Sequence, residues 1–268
     1  MTAHRVTLSR RHWVGAVVAA WGCQRETPSE VPSPDDGAAR PDSRANVSAS
    51  TPAVERPRES ERQRDPEPSG EPAHAPQRLY LRPLGARFPS EDSLFVVRSL
   101  QAFFDFDVQL LDAVELPAHA YYAPRSRYRA EKLLDFLNEG APPDAFRVLG
   151  ITTVDISTTK GSYEDWGILG LATLDGHSCV ISSFRTTKGT RTHEQAQIRL
   201  GKTAVHEIGH TLGLEHCPNV GCLMEDAKGS ATTTDREYEL CEDCRRELAT
   251  RGAGRAASAA EIPWPRPG

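Results

Sequence analysis

The densest run of chemistry-bearing side chains in the sequence is His206-Glu207-Ile208-Gly209-His210-Thr211-Leu212-Gly213-Leu214-Glu215-His216. Histidines 206 and 210 are four residues apart, so on a helix they project from one face about one turn apart and can grip a single ion. Zinc in a hydrolytic site takes three protein ligands and keeps the fourth position for water, so the third donor must come from outside the helix. Gly213 supplies the means, because glycine adopts the left-handed conformation that ends a helix and turns the chain, here bringing His216 back toward the metal. Glu207, beside the first ligand, is then placed to act as general base. Bound zinc lowers the pKa of its water towards about 7; the carboxylate takes the proton during attack on a peptide carbonyl and returns it to the departing amine. A bare HExxH occurs by chance in roughly a few chains in a hundred, and the added glycine and histidine at fixed offsets cut that by several hundred-fold or so.

Four of the six cysteines crowd around this run: Cys217, directly after the third histidine, then Cys222, Cys241 and Cys244, with the isolated Met224 between the pairs. Four thiolates in two close pairs match a closed structural zinc site. The expectation is two zinc ions per chain, one catalytic on His206, His210 and His216 and one structural on Cys217, Cys222, Cys241 and Cys244. Because Cys217 abuts His216, the second ion would fix the loop that delivers the third catalytic ligand. Two disulfides, Cys217 with Cys222 and Cys241 with Cys244, are the alternative that an oxidising compartment permits. Cys179, remote from the others, reads as a buried core thiol.

These residues need a scaffold, and apolar spacing outlines one. Leu79–Leu84 is a short strand, and Ser90-Glu91-Asp92 caps a helix whose apolar positions Leu94, Val97, Leu100 and Phe104 recur at helical spacing. Phe106 to Leu111 alternates as a strand, and 126–138 reads as a second helix closed by Gly140 and Pro142-Pro143. The stretches 146–156, 167–174 and 179–184 are apolar strands, and 194–214 is one long helix carrying the histidines. Alternating strands and helices imply an α+β chain with a mixed twisted sheet packed with helices. The segment Trp166 to Ala172 is either a strand beside the cleft or, the preferred reading, an ordinary buried strand. Tyr238 reads as packing rather than an oxyanion donor, and His119, His177 and His193 as structural.

The run His206 to Cys244 resembles the archaemetzincins, a metzincin-clan family whose extended motif joins HExxHxxGxxH to a cysteine, C-x4-C-x-M and a later C-x-x-C. The stretches 121–137 and 148–155 are similar to the family as well. The resemblance implies a compact metzincin-like peptidase domain with a long active-site helix and a small C-terminal zinc subdomain built on the four cysteines, and it makes Met224 the methionine of the turn beneath the catalytic zinc. Sixteen residues separate Met224 from Cys241 where the family has 17, a difference that falls in a loop.

The rest of the 268-residue chain is organised differently. Residues 1–23 run from a basic stretch (Arg5, Arg10, Arg11) through about nine apolar residues to Gly22-Cys23, the layout of an export signal and too short for the roughly 20 residues of a membrane span. Ser9-Arg10-Arg11 resembles a twin-arginine signal, and Ala20-Trp21-Gly22-Cys23 a lipobox whose cysteine becomes lipidated. Residues 24–78 hold half of the chain's 20 prolines and no Leu, Ile, Met, Phe, Tyr or Trp, so they read as a disordered tether unable to offset its ordering entropy. The tail 251–268 is expected to be unfolded too, leaving 79–250 as one peptidase domain. The expected location is the periplasm or a membrane surface reached through Cys23; without a functional signal the protein would stay cytoplasmic. A net charge of -5 without a basic face excludes a nucleic-acid partner. The expected partner is a peptide or protein substrate, the expected state a monomer, and the competing function a zinc-stabilised module that holds peptides without cutting them.

Overall fold

The computed structural model describes residues 77–85, 88–228, 230–252 and 261–267. The export signal expected over 1–23 lies outside them, and so does the tether expected over 24–78 apart from its last two residues, Gln77 and Arg78, which are not tether but the start of a strand paired in register with its neighbour. In chain order the elements are β1 (Gln77–Leu84), α1 (Ser90–Phe103), β2 (Phe106–Leu110), β3 (Tyr121–Tyr122), β4 (Arg127–Arg129), α2 (Ala130–Glu139), β5 (Arg147–Thr152), β6 (Ile156–Lys160), β7 (Tyr163–Ile168), β8 (Gly170–Ala172), β9 (Ser178–Ser182), α3 (Ser183–Thr186), α4 (His193–Thr211) and α5 (Glu242–Thr250). They form a five-stranded sheet in the order β2-β1-β5-β9-β8 and a four-stranded sheet in the order β3-β4-β6-β7.

The larger sheet is parallel from β2 to β9, and only β8 runs antiparallel, against β9. Helices cover both of its faces, which is why β5 and β9 read as nearly unbroken apolar runs. Leu149, Ile151, Cys179 and Ile181 join the cluster that contains Val96 and Leu100 of α1 and Leu200, Ala204 and Ile208 of α4. The intervening Val148 and Val180 point the other way, into a cluster with Leu133, Leu134 and Leu137 of α2. Cys179 is fully buried and its thiol is pushed well up by burial, so it is a core residue as read from sequence.

Several expected boundaries move, each for an identifiable reason. The single strand expected over 146–156 is two strands in two sheets, broken at Asp155, which accepts hydrogen bonds from Arg185 at 2.7 and 3.1 Å and pairs with Arg127 at 2.8 Å. The helix expected from Ser126 begins only at Ala130: Ser126 is left-handed (φ 51°), and the next three residues pair as a strand with β3 and β6. Pro89, not Ser90, takes the N-cap position of α1. The segment 167–174 divides at buried Leu169, where the chain passes from the smaller sheet to the larger.

The tail is the largest correction. Residues 251–268 were expected to be unfolded because they are small and Pro-rich, yet Ile262 and Trp264 are buried in the main core. The Trp264 ring stacks on Phe103 with centroids 5.7 Å apart, and its indole N–H donates to the Tyr238 carbonyl at 2.9 Å. One aromatic ring finding both an apolar slot and an acceptor is enough to dock a short segment that composition alone reads as unfolded.

Candidate metal centres

Helix α4 is set by its ends. Thr192 caps the N-terminus, its hydroxyl accepting from the Gln195 amide at 3.1 Å. At the other end Gly213 has φ 86°, its N–H donates to the His210 carbonyl at 2.9 Å, and the Leu214 N–H reaches back to Gly209 at 3.0 Å. That paired bonding is a Schellman cap, which needs the left-handed residue that Gly213 provides. It reverses the chain as the sequence predicted, and His206, His210 and His216 come together with ligand atoms within 4.8 Å of one another.

Two of the imidazoles are oriented by backbone. Nδ1–H of His206 donates to the Leu223 carbonyl and that of His210 to the Leu214 carbonyl, both at 2.7 Å, which leaves each Nε2 lone pair free for a metal. The two Nε2 atoms are 3.0 Å apart; nitrogens about 2.05 Å from one tetrahedral ion would stand about 3.3 Å apart. Burial, and then the neighbouring His210, hold His206 down to about 3, and burial lowers His210 as well. Both are therefore neutral, the state that binds metal.

Glu207 is buried, and burial pushes its carboxyl up to about 8. A dication at the imidazoles would favour the ionised form. A Cβ placed on Gly170 would meet Glu207 Oε1 at 2.5 Å, so the carboxylate lies against strand β8 where that strand has no side chain. Strand β8 forms the edge of the larger sheet, which overturns the preferred reading of Trp166 to Ala172 as an ordinary buried strand. A cavity of about 550 Å³ is lined by this edge, by Glu207 and by all three histidines.

The four cysteines also converge, their Sγ atoms within 4.8 Å of one another. Cys217 and Cys241 are 3.6 Å apart and Cys222 and Cys244 3.8 Å, so the near pairs are not those of the disulfide alternative and all four thiols are free. Sulfurs at about 2.3 Å from one tetrahedral ion would stand about 3.8 Å apart, so the cluster fits zinc. The amides of Asn219, Met224 and Cys241 point at Cys217 or Cys222 sulfur at 3.4–3.5 Å, an arrangement that favours thiolate. Hydrogen bonding to Cys244 is the first cause that draws Cys222 down to about 5.

The two clusters share a loop. Leu223, whose carbonyl orients His206, lies between Cys222 and Met224, and the Cys217 amide donates to the Met224 carbonyl at 2.7 Å. Met224 is fully buried beneath α4, where a Cβ on Gly209 would meet its sulfur at 2.5 Å. The Leu223 carbonyl and Gly170 were missed by sequence reading, the first because a carbonyl has no sequence signature. Gly170 could have been found in the repeat of small residues in the Trp166 to Ala172 segment, had that segment been taken as the cleft edge. Tyr238 is buried away from the cavity lining, as read. His193, read as structural, stands 3.1 Å from Asp92 and 3.3 Å from Glu91 at the surface.

A helix-borne HExxH, a third histidine returned by a glycine turn and a sheet edge along the cleft define the metal-dependent peptidase class. The comparisons agree: the chain belongs to peptidase family M54, whose pattern matches residues 105–250, and it is a zinc metallopeptidase. It is 33% identical over 157 residues to the archaemetzincin of Halobacterium salinarum, covering 56% of this chain and 87% of the relative. The archaemetzincin of Archaeoglobus fulgidus is 30% identical over 171 residues, 64% of this chain and 98% of the relative. The crystal structure of the latter superposes with a TM-score of 0.54 at 32% identity, covering 63% of this chain and 99% of that one. That of the Methanopyrus kandleri archaemetzincin gives 0.59 at 29% identity, covering 67% and 97%.

Proposed function

We propose that this chain cuts peptide bonds at a zinc ion held by His206, His210 and His216, with Glu207 as the general base, and that a second zinc ion on Cys217, Cys222, Cys241 and Cys244 holds the loop that completes the site. The observation that carries this reading is the convergence of three imidazoles and one buried carboxylate on a single cavity beside the edge of β8. When bound, zinc lowers the pKa of a water molecule and polarises the peptide carbonyl. Glu207, kept dry and seated against Gly170, takes a proton from the attacking water and passes it to the departing amine. The β8 edge offers backbone N–H and C=O groups to which an extended peptide adds as a further strand, setting the carbonyl in register with the histidines.

The test is digestion of a mixed peptide library by the zinc-loaded protein with and without a chelator. Cleavage that stops with the chelator and returns with zinc is expected. Absence of chelator-sensitive cleavage at every peptide length overturns the reading.

We also place the protein outside the cytoplasm, anchored by lipid on Cys23. The order of basic stretch, short apolar run and Cys23 supports this. Expression with a radiolabelled fatty acid should label the wild type and leave Cys23→Ser unlabelled; equal labelling would exclude the anchor.

A further inference from the structure

The cavity extends beyond the histidines. Thr203, one helical turn before His206 and Glu207 on the same face of α4, lines it, and so do Thr234 and Glu237. Glu237 is 2% exposed. Its backbone carbonyl, like that of Thr234, accepts from the Lys202 ammonium. No hydrogen bond or ion pair reaches the Glu237 carboxylate among the described residues, although Lys202 and Arg236 act on it electrostatically, and Glu237 is one of the residues that line the cavity. The two lysines of the cavity lining, Lys160 and Lys228, also line a shallow adjoining pocket with Tyr163 and Trp166, a different part of the cleft.

A carboxylate buried without a partner is costly, and proteins retain one chiefly where something else completes it. Burial is the first cause that pushes the Glu237 carboxyl up to about 8, and the neighbouring Lys202 opposes it, so the charge of this part of the cavity depends on what else stands beside the acid. A cation entering it would ionise the acid and pair with it out of water, where a charge-assisted bond is strongest. The two threonine hydroxyls add acceptors for the remaining N–H groups of an ammonium or guanidinium.

We propose that Glu237, flanked by Thr203 and Thr234, is a cation-accepting specificity subsite, and that this peptidase cuts peptides carrying Lys or Arg beside the cleaved bond. The inference rests on the peptidase reading above and assigns its substrate class.

The probes are short peptide hydroxamates, whose headgroup ligates zinc, carrying Lys, Gln or norleucine at the position next to the headgroup. One series varies the primed side and another the unprimed side. Inhibitor binding to the zinc-loaded wild-type protein is measured by calorimetry, and repeated with Glu237→Gln after its two-metal content is checked. In one series the Lys compound should bind about tenfold or more tighter than the norleucine and Gln compounds, and Glu237→Gln should remove that preference. Equal binding of all three, a preference for Gln or norleucine, or a Lys preference that survives Glu237→Gln overturns the subsite and leaves the zinc reading standing. Failure of every hydroxamate to bind overturns the catalytic zinc reading and the subsite with it. Should Glu237→Gln lose its metals, the wild-type ranking of the three compounds still decides.

Discussion

His206 and His210 stand on a 19-residue helix whose pitch sets their separation, whereas three of the four cysteines sit in loops or at a helix end and are brought together across 28 residues of chain. The first cluster is held by regular structure made elsewhere: a core of α1, α4 and the larger sheet, a threonine cap and a glycine turn. The second cluster organises its own surroundings, since the parallel bridges Cys217–Glu225 and Cys222–Glu239 are most of the regular pairing there. The histidine cluster opens onto a cavity and leaves room for a reacting water. Cys222 and Cys244 are buried, and four sulfurs around one ion would fill a tetrahedron with no position left over. An open site can rely on a rigid frame, while a closed one can itself be the frame. Their meeting point is the loop at 222–224, where the Leu223 carbonyl orients His206.

The sharpest way to separate chemistry from scaffold is Glu207→Gln. It should lower turnover roughly a thousandfold or more while both metals remain, as read by peptide hydrolysis and metal content. Wild-type rates would remove Glu207 from the mechanism. Cys241→Ser tests whether the closed cluster serves the open one. Native mass spectrometry should show loss of one ion, and hydrolysis should fall about 10–100-fold through the loop that orients His206 and delivers His216. Full activity with a single zinc would mean that the two clusters are independent.

Gly170→Ala touches neither cluster's ligands. The added methyl would collide with the Glu207 carboxylate, so kcat should drop about tenfold with metal content unchanged. An unchanged kcat would show that the edge strand does not seat the base. The smallest effect belongs to Gly213→Ala, a change in the turn between the frame and His216. At φ 86° a side chain costs about 1–3 kcal/mol, and the Cβ would also meet Arg251 and Asp175. Thermal unfolding should shift down by on the order of 5 °C. A Tm equal to wild type would leave the left-handed turn unexplained.

Much of the site was legible before any coordinates, because its geometry is local. Four residues on a helix are one turn, and a glycine three residues before a histidine is a reversal, whatever surrounds them. The same holds for the apolar run of β5, although the structure decides that Leu149 and Ile151 are buried on one face and Val148 on the other. Boundaries were less legible where polar partners distant in sequence decide them: Asp155 ends a strand only because Arg127 and Arg185 converge on it.

By itself, then, the amino-acid sequence determined the donor set, the helix that carries two of the donors and the turn that returns the third, since each depends on spacings of a few residues. Tertiary structure alone decided what those donors rest against. The Leu223 carbonyl behind His206, Gly170 beneath Glu207, Glu237 and Thr203 on the lining of one cavity and Trp264 docked on Phe103 each join segments 17 residues or more apart, and no short-range pattern encodes them. The physical reason is that packing and burial are properties of the whole core, and a residue's partner is set by which surfaces meet there.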